Sequence, residues 1–194
     1  VRWNGLGRIN LNTGETMIFS GREDSIHREG VGIMMTKDAA AALIEWNPVN
    51  ERIITARFYS KYIKLSVIQV YAPTEDKSEE EKDTFYEQLQ RVMNQVPKHD
   101  VKLLMGDFNA KVGADNDFGN IMGKHGIGTR NDNGLRLLTF CDVNNLVITG
   151  TVFPHRDIHK VTWVSPNGQV KNQIDHVIIS RQHRNSVLYT RMMR

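Results

Sequence analysis

Cysteine is nearly absent from this sequence: Cys141 is the single thiol among 194 residues. That excludes a disulfide framework and a cysteine-rich zinc site, and a reducing, intracellular compartment is the natural setting. Proline is scarce, at five residues, and no polyproline tract, low-complexity segment, internal repeat or linker interrupts the chain. No apolar run approaches the roughly 20 residues that cross a bilayer, and no signal-peptide pattern is visible. Charge of one sign is in little excess, a formal +3 with a pI of about 9.0. A balance this mild agrees with a nucleic-acid partner without pointing to one. What is present is ordinary for a soluble globular protein: 40% hydrophobic and 24% charged residues. By length, residues 1–194 read as one domain with a sizeable core.

Periodicity and punctuation sketch the elements. Residues 16–20 and 31–35 read as strands joined through a charged connection, Gly21 to Asp24 and then His27 to Gly30, as in a hairpin. Residues 37–46 are Ala-rich and read as a helix capped by Thr36. Residues 53–59 and 63–71 form a second strand pair. Ser78 and Glu81 have the spacing of a capping box, and Phe85, Leu89, Val92 and Val96 follow at helical intervals before Pro97. Residues 101–105 are an apolar strand broken by Gly106. Residues 110–132 have no period and read as one long loop. Its Lys111, Lys124, His125 and Arg130 suit a phosphate backbone, with a mobile solvated loop as the equal alternative. Asn133-Gly134 opens a helix through Leu135, Leu138 and Val143. Cys141 shares its apolar face with Leu137 and Leu138, which makes it a buried, inert thiol. Residues 146–149, 161–164 and 174–180 supply the last strands. The irregular order of strands and helices predicts an α+β fold with mixed sheets.

Three segments place polar groups at strand ends. Asp107 and Asn109 follow Gly106 two residues apart, and on an extended backbone they share a face while Phe108 turns into the core. A carboxylate beside an amide suits a divalent cation and a phosphate oxygen. The alternative is an Asx-turn, in which both side chains bond local backbone. Tyr71 ends its strand, because Pro73 cannot extend the ladder. Asp175-His176 interrupts an apolar strand, and since a buried carboxylate needs a partner, Asp175 is expected to face a polar pocket.

Tyr71-Ala72-Pro73-Thr74, Gly106-Asp107-Phe108-Asn109, Thr162-Trp163 and Ile174-Asp175-His176, in this order, resemble the endonuclease/exonuclease/phosphatase superfamily. More narrowly, GREDSIHREGVGIMM, ERIITARFYSKYIKLSVIQVYAPT and NGLRLLTFCDVNNLVITGT resemble the endonuclease domain of LINE-type retrotransposons of the RTE class. The match covers nearly the whole chain; each short motif is weak and the ordered set is specific. The resemblance implies an incomplete DNase I-like two-sheet α/β sandwich, with helices outside and the first strand or two of one sheet absent. It implies DNA nicking by phosphodiester hydrolysis with Mg2+ or Mn2+ as cofactor, and a monomer that works in the nucleus on DNA, with no membrane partner. By matching position, Asp107 is a metal ligand that positions or deprotonates the attacking water, and Asn109 holds a phosphate or metal-shell oxygen. Tyr71 donates its hydroxyl to the phosphate, and Asp175 orients a later histidine. His176 stands where the family has an ordinary strand residue.

Lys111, Arg130 and Trp163 are candidates for the substrate side, although core packing is the preferred reading for Trp163. The basic run Arg181, His183, Arg184, Arg191 and Arg194 reads as a solvated face. The family's principal metal-ligand Glu would stand just before Val1-Arg2-Trp3, and its Ser-Asp-His motif would follow Arg194. Weak or no activity is therefore expected of this chain. Two alternatives accompany that reading: a phosphatase or phosphodiesterase on the same fold, and a non-catalytic remnant or binding protein that keeps it.

Overall fold

A computed structural model describes residues 3–24, 28–115 and 117–192; His27 of the first connection and Arg194 of the basic run lie outside them. The chain forms two compact units, Val1–Tyr71 with Asn94–Leu104, and Ala72–Met93 with Met105–Arg194.

In the first unit, β1 (Leu6–Asn10), β2 (Thr16–Gly21) and β3 (Gly30–Met35) make an antiparallel sheet in that order. The hairpin register pairs Ser20 with Val31 and Thr16 with Met35. β2 alternates strictly, with Thr16, Ile18 and Ser20 buried. Thr36 caps α1 (Lys37–Ala41) by accepting a hydrogen bond from the Ala39 N–H. The helix is shorter than its alanines predict, because β4 (Leu43–Asn50) begins at once. Trp46 and Asn47 pair with Ala56 and Thr55 of β5 (Ile53–Phe58), so ladder formation overrides local propensity. β5 pairs antiparallel with β6 (Leu65–Tyr71), and β7 (Val101–Asp107) follows β6 in the sheet order, its first four residues lying in this unit. β2 and β3 pack against β4, β5 and β6, burying Ile18, Val31, Ile53, Ile54, Ile68 and Val70. Two sheets face to face is the expected arrangement. An ion pair joins part-buried Arg57 of β5 to buried Asp100 at 2.7 Å, and the Ser66 hydroxyl donates to the same carboxylate.

The second unit takes over β7 at Met105. The strand runs on through Gly106 (φ 137) to Asp107 instead of breaking at the glycine; at that φ only glycine is unstrained. The sheet order continues from β7 to β11 (Asp175–Ser180) and β8 (Leu146–Ile148), the last two antiparallel. α2 (Glu79–Gln95) starts on the Ser78–Glu81 capping box and buries Phe85, Leu89 and Val92. α3 (Asp132–Val143) is capped by Asn131, starts one residue earlier than the sequence pattern places it, and buries Leu137, Leu138 and Cys141. The two-residue strands β9 (Trp163–Val164) and β10 (Lys171–Asn172) pair as a separate ribbon. Between β7 and α3 the long loop tucks Ala110, Val112, Ile121 and Met122 into the core, and Met122 bridges to Ile148. It is a packed segment, which corrects the mobile, solvated alternative. No helix among the described residues is long and apolar enough to cross a membrane.

Candidate active site

The site grows from the end of β7. The Ala72 N–H donates to the Asp107 carbonyl at 2.8 Å, and the Phe108 N–H donates to the Ile174 carbonyl at 3.0 Å. These two bonds stitch together three segments that the sequence holds far apart. Phe108 is fully buried, as its alternation with Asp107 predicts. Asn109 departs from that alternation: its φ is 48°, in the left-handed region. The shared-face argument, which needs an extended backbone, therefore does not apply. An Asx-turn forms instead, with the Asn109 N–H donating to Asp107 Oδ1 at 2.9 Å. The turn leaves the Asn109 side chain available, and its Nδ2 donates to the Ala72 carbonyl at 2.9 Å.

Asp175 opens β11 beside this turn. It is exposed rather than sealed in a polar pocket, and Thr162 is its nearest organiser. The Thr162 hydroxyl oxygen accepts from the N–H groups of Ile174 at 3.0 Å and Asp175 at 3.1 Å, and the hydroxyl also bonds the Asp175 carboxylate. The two carboxylates share one electrostatic problem. Burial pushes Asp107 up to about 6, the charge of Asp175 adds to the rise, and the Asn109 N–H opposes it. Desolvation raises Asp175 too, with the Thr162 hydrogen bond opposing. His176 points the other way, into the core. It is buried, its Nε2 lies 2.8 Å from the Ala110 carbonyl, and burial pulls it down to about 4. A neutral ring that donates from Nε2 is an ordinary core residue, as expected of it.

No protein-family model matches the chain. Over 187 residues it is 41% identical to craniofacial development protein 2 of Bos taurus, a match that spans 96% of the chain and 31% of that protein. The chain thus spans about a third of the length of that relative. Among solved structures, it superposes on the endonuclease domain of TRAS1, a telomere-specific non-LTR retrotransposon, with a TM-score of 0.60 at 15% identity, covering 93% of this chain and 75% of that one. The 3′ phosphatase NExo from Neisseria, solved with a product DNA hairpin, gives 0.63 at 18% identity over 89% of this chain and 69% of its own. The chain has the endonuclease/exonuclease/phosphatase fold.

Within this endonuclease/exonuclease/phosphatase fold, Asp107, Asn109 and Asp175 come together, and Thr162-Trp163 lies beside them. Trp163 is 41% exposed, which corrects its expected core position. It sits on the β9–β10 ribbon, paired only with Asn172, outside the main sheet. Lys111 is two residues past Asn109 and is held by backbone: its N–H donates to Asn131 Oδ1 at 2.8 Å, and its carbonyl accepts from the Asn131 N–H. Arg130 braces the loop, paired with Asp117 at 2.5 Å, donating to the Val112 carbonyl, and stacked over the Phe118 ring at 5.1 Å. Tyr71 belongs to the first unit, where it ends β6. Its N–H donates to the Arg52 carbonyl, and the Arg52 guanidinium lies 5.4 Å over its ring. Among the described residues no group of three or more His, Cys, Asp or Glu side chains is placed to hold a metal; the acidic pair is Asp107 with Asp175.

Sequence reasoning missed three residues. Glu75, Asn131 and Asn133 tie the loop after β6 to the Asp107–Asn109 turn. The Glu75 carboxylate accepts from Asn131 Nδ2 at 2.6 Å and from the backbone N–H groups of Asp132 and Asn133 at 3.3 Å. The signal was there: two asparagines in Asn131-Asp132-Asn133-Gly134 ahead of an apolar helix are more than one N-cap requires.

Proposed function

We propose that this chain carries the site of a nicking endonuclease of retrotransposon ancestry that cleaves phosphodiester bonds in DNA with Mg2+ or Mn2+, with weak activity in this chain. One observation carries the reading: Asp107 and Asp175, from separate segments, crowd together beside a strained, fully braced Asn109. Asp107, which burial and the nearby Asp175 charge make costly to ionise, and Asp175, raised by desolvation, are a donor pair that a hard divalent cation stabilises, so the residues present fit one. Asp107 would hold it, and when bound it would neutralise charge that builds on phosphate oxygens.

The chain's own groups divide the remaining work. Asp107 positions or deprotonates the attacking water. Asn109 Nδ2 spends one N–H on Ala72, and its other N–H donates to a phosphate oxygen as negative charge develops there. Thr162 orients the Asp175 carboxylate. Lys111 and the exposed Trp163 face the DNA backbone and bases, with Arg130 supporting the loop. The resemblance assigns the Tyr71 hydroxyl to the same phosphate, and Tyr71→Phe tests that assignment alone.

The deciding experiment is a time course of supercoiled-plasmid nicking at about 10 mM Mg2+ or Mn2+, a level chosen because two carboxylates alone bind Mg2+ weakly. Slow, metal-dependent conversion to open circles, abolished in Asp107→Asn, supports the proposal. Release of phosphate from a 3′-phosphorylated oligonucleotide without nicking favours the phosphatase alternative. A gel shift with neither reaction favours a binding protein that keeps the fold.

A further inference from the structure

We infer that Asn133 is a positioning residue of this site, acting through Asn109. The inference rests on the reading above for the chemistry it serves. A non-glycine residue at a φ of 48° sits in a sparsely populated region, and it persists only where its surroundings over-determine it. Here they do. The Asn109 carbonyl accepts from Asn133 Nδ2 at 3.2 Å and from Asn131 Nδ2 at 3.4 Å. The same Asn133 Nδ2 donates to the Pro73 carbonyl at 3.1 Å. One amide group, 2% exposed, therefore binds two carbonyls from segments 36 positions apart in sequence, Pro73 and Asn109. Its backbone N–H is anchored on Glu75, and the N-cap Asn131 anchors beside it on the same carboxylate.

The consequence for Asn109 is geometric. Its side chain reaches Ala72, the residue before Pro73, and its N–H reaches Asp107. With the Asn133 bridge in place, the carbonyl, the N–H and the side-chain amide of Asn109 are each tied, so the remaining donor has one direction. Without it, the buried Pro73 carbonyl and the part-buried Asn109 carbonyl lose a donor, and Asn109 can relax to an ordinary φ that swings the amide away. Among the described residues Asn133 bonds Glu75, Pro73 and Asn109, not Asp107 or Asp175. Its effect passes through a single residue.

The test uses the full chain and four variants. Asn133→Leu removes both donors at similar volume. Asn109→Gly removes the amide while tolerating the positive φ. The double variant combines them. Gln90→Leu breaks the paired amides of Gln90 and Asn144 between α2 and α3 and serves as the stability control. In amide hydrogen exchange followed by NMR, Asn133→Leu is expected to speed exchange at the Asn109 N–H by about tenfold or more beyond its change in global stability; Gln90→Leu is expected to leave that ratio unchanged. In nicking, Asn133→Leu lowers kcat with little change in KM, and adding it to Asn109→Gly costs no further loss, the non-additivity of residues acting as a unit. Equal exchange at Asn109 in Asn133→Leu and Gln90→Leu, or losses that multiply in the double variant, overturns the inference. If no protein in the set nicks DNA, the proposed function fails while the exchange measurement still decides the positioning role.

Discussion

At the scale of single residues, the side chains divide into those proposed to carry chemistry and those that only look able to. His176 belongs to the second group, and its burial has a pH consequence. Its folded pKa, about 4, lies below the ordinary 6.5. The folded state therefore binds fewer protons than the unfolded chain, and the stability from a neutral His176 is complete above pH 6.5 and lost as pH falls from 6.5 towards 4. The loss should approach about 3 kcal/mol, and urea titrations of His176→Gln, which keeps a donor but cannot titrate, should show a flatter profile across that window. Cys141 is equally inert. Burial pushes its thiol well above the usual range, so Cys141→Ser should leave any nicking rate within about twofold while costing roughly 1–3 kcal/mol of stability for a buried hydroxyl. Asn109→Ala, by contrast, should cost roughly 10²–10³ in the nicking rate of a protein extended by the family's flanking Glu and Ser-Asp-His segments, the scale of one preorganised donor, and Asp107→Ala at least as much. A single-turnover nicking assay separates the groups, and a Cys141→Ser loss beside an active Asp107→Ala would reverse their assignment.

Among elements, the decisive junction is the N-terminus of α3. Gly134 sits there because a Cβ would lie 1.8 Å from the Lys111 carbonyl, so the loop that leaves Asn109 rests directly on the first helical turn. Gly134→Ala should force that loop outward. The expected cost is about 1–3 kcal/mol in urea unfolding, together with a rise in amide exchange at Lys111, whose N–H is held by Asn131. Unchanged exchange at Lys111 would show that the junction gives way elsewhere. The helices and long strands were legible in the sequence because each carries its own signal: the capping box before α2, Thr36 before α1, largely apolar runs in β5 and β6. β1, β4 and β10 were not. β4 follows an Ala-rich turn and contains Pro48, features that argue against a strand until β5 lies alongside to supply its hydrogen bonds.

For the whole molecule, ion pairing and metal binding make separable predictions. Asp100 is held below the usual carboxylate range chiefly by the Arg57 guanidinium. Its contribution is present above the ordinary carboxylate pKa near 3.8 and lost as pH falls through the lower folded value. Asp100→Ala leaves Arg57 without that partner in a part-buried site and should lower the urea midpoint at pH 7. Mg2+ should raise the melting temperature only at millimolar concentrations and above, since binding stabilises in proportion to ln(1 + [L]/Kd); a rise at micromolar Mg2+ would reveal ligands beyond Asp107 and Asp175. By itself the sequence determined the fold class, the order of the motifs and the choice of Asp107, Asn109 and Asp175 as candidates, because periodicity and motif chemistry are local properties. Only the tertiary structure decided that Asn109 leaves the extended conformation, that Trp163 stands in solvent, that the long loop is packed, and that Asn133 reaches both Pro73 and Asn109. Those outcomes depend on hydrogen bonds and burial between segments tens of residues apart, and a strand's partner, unlike its period, is not written within it.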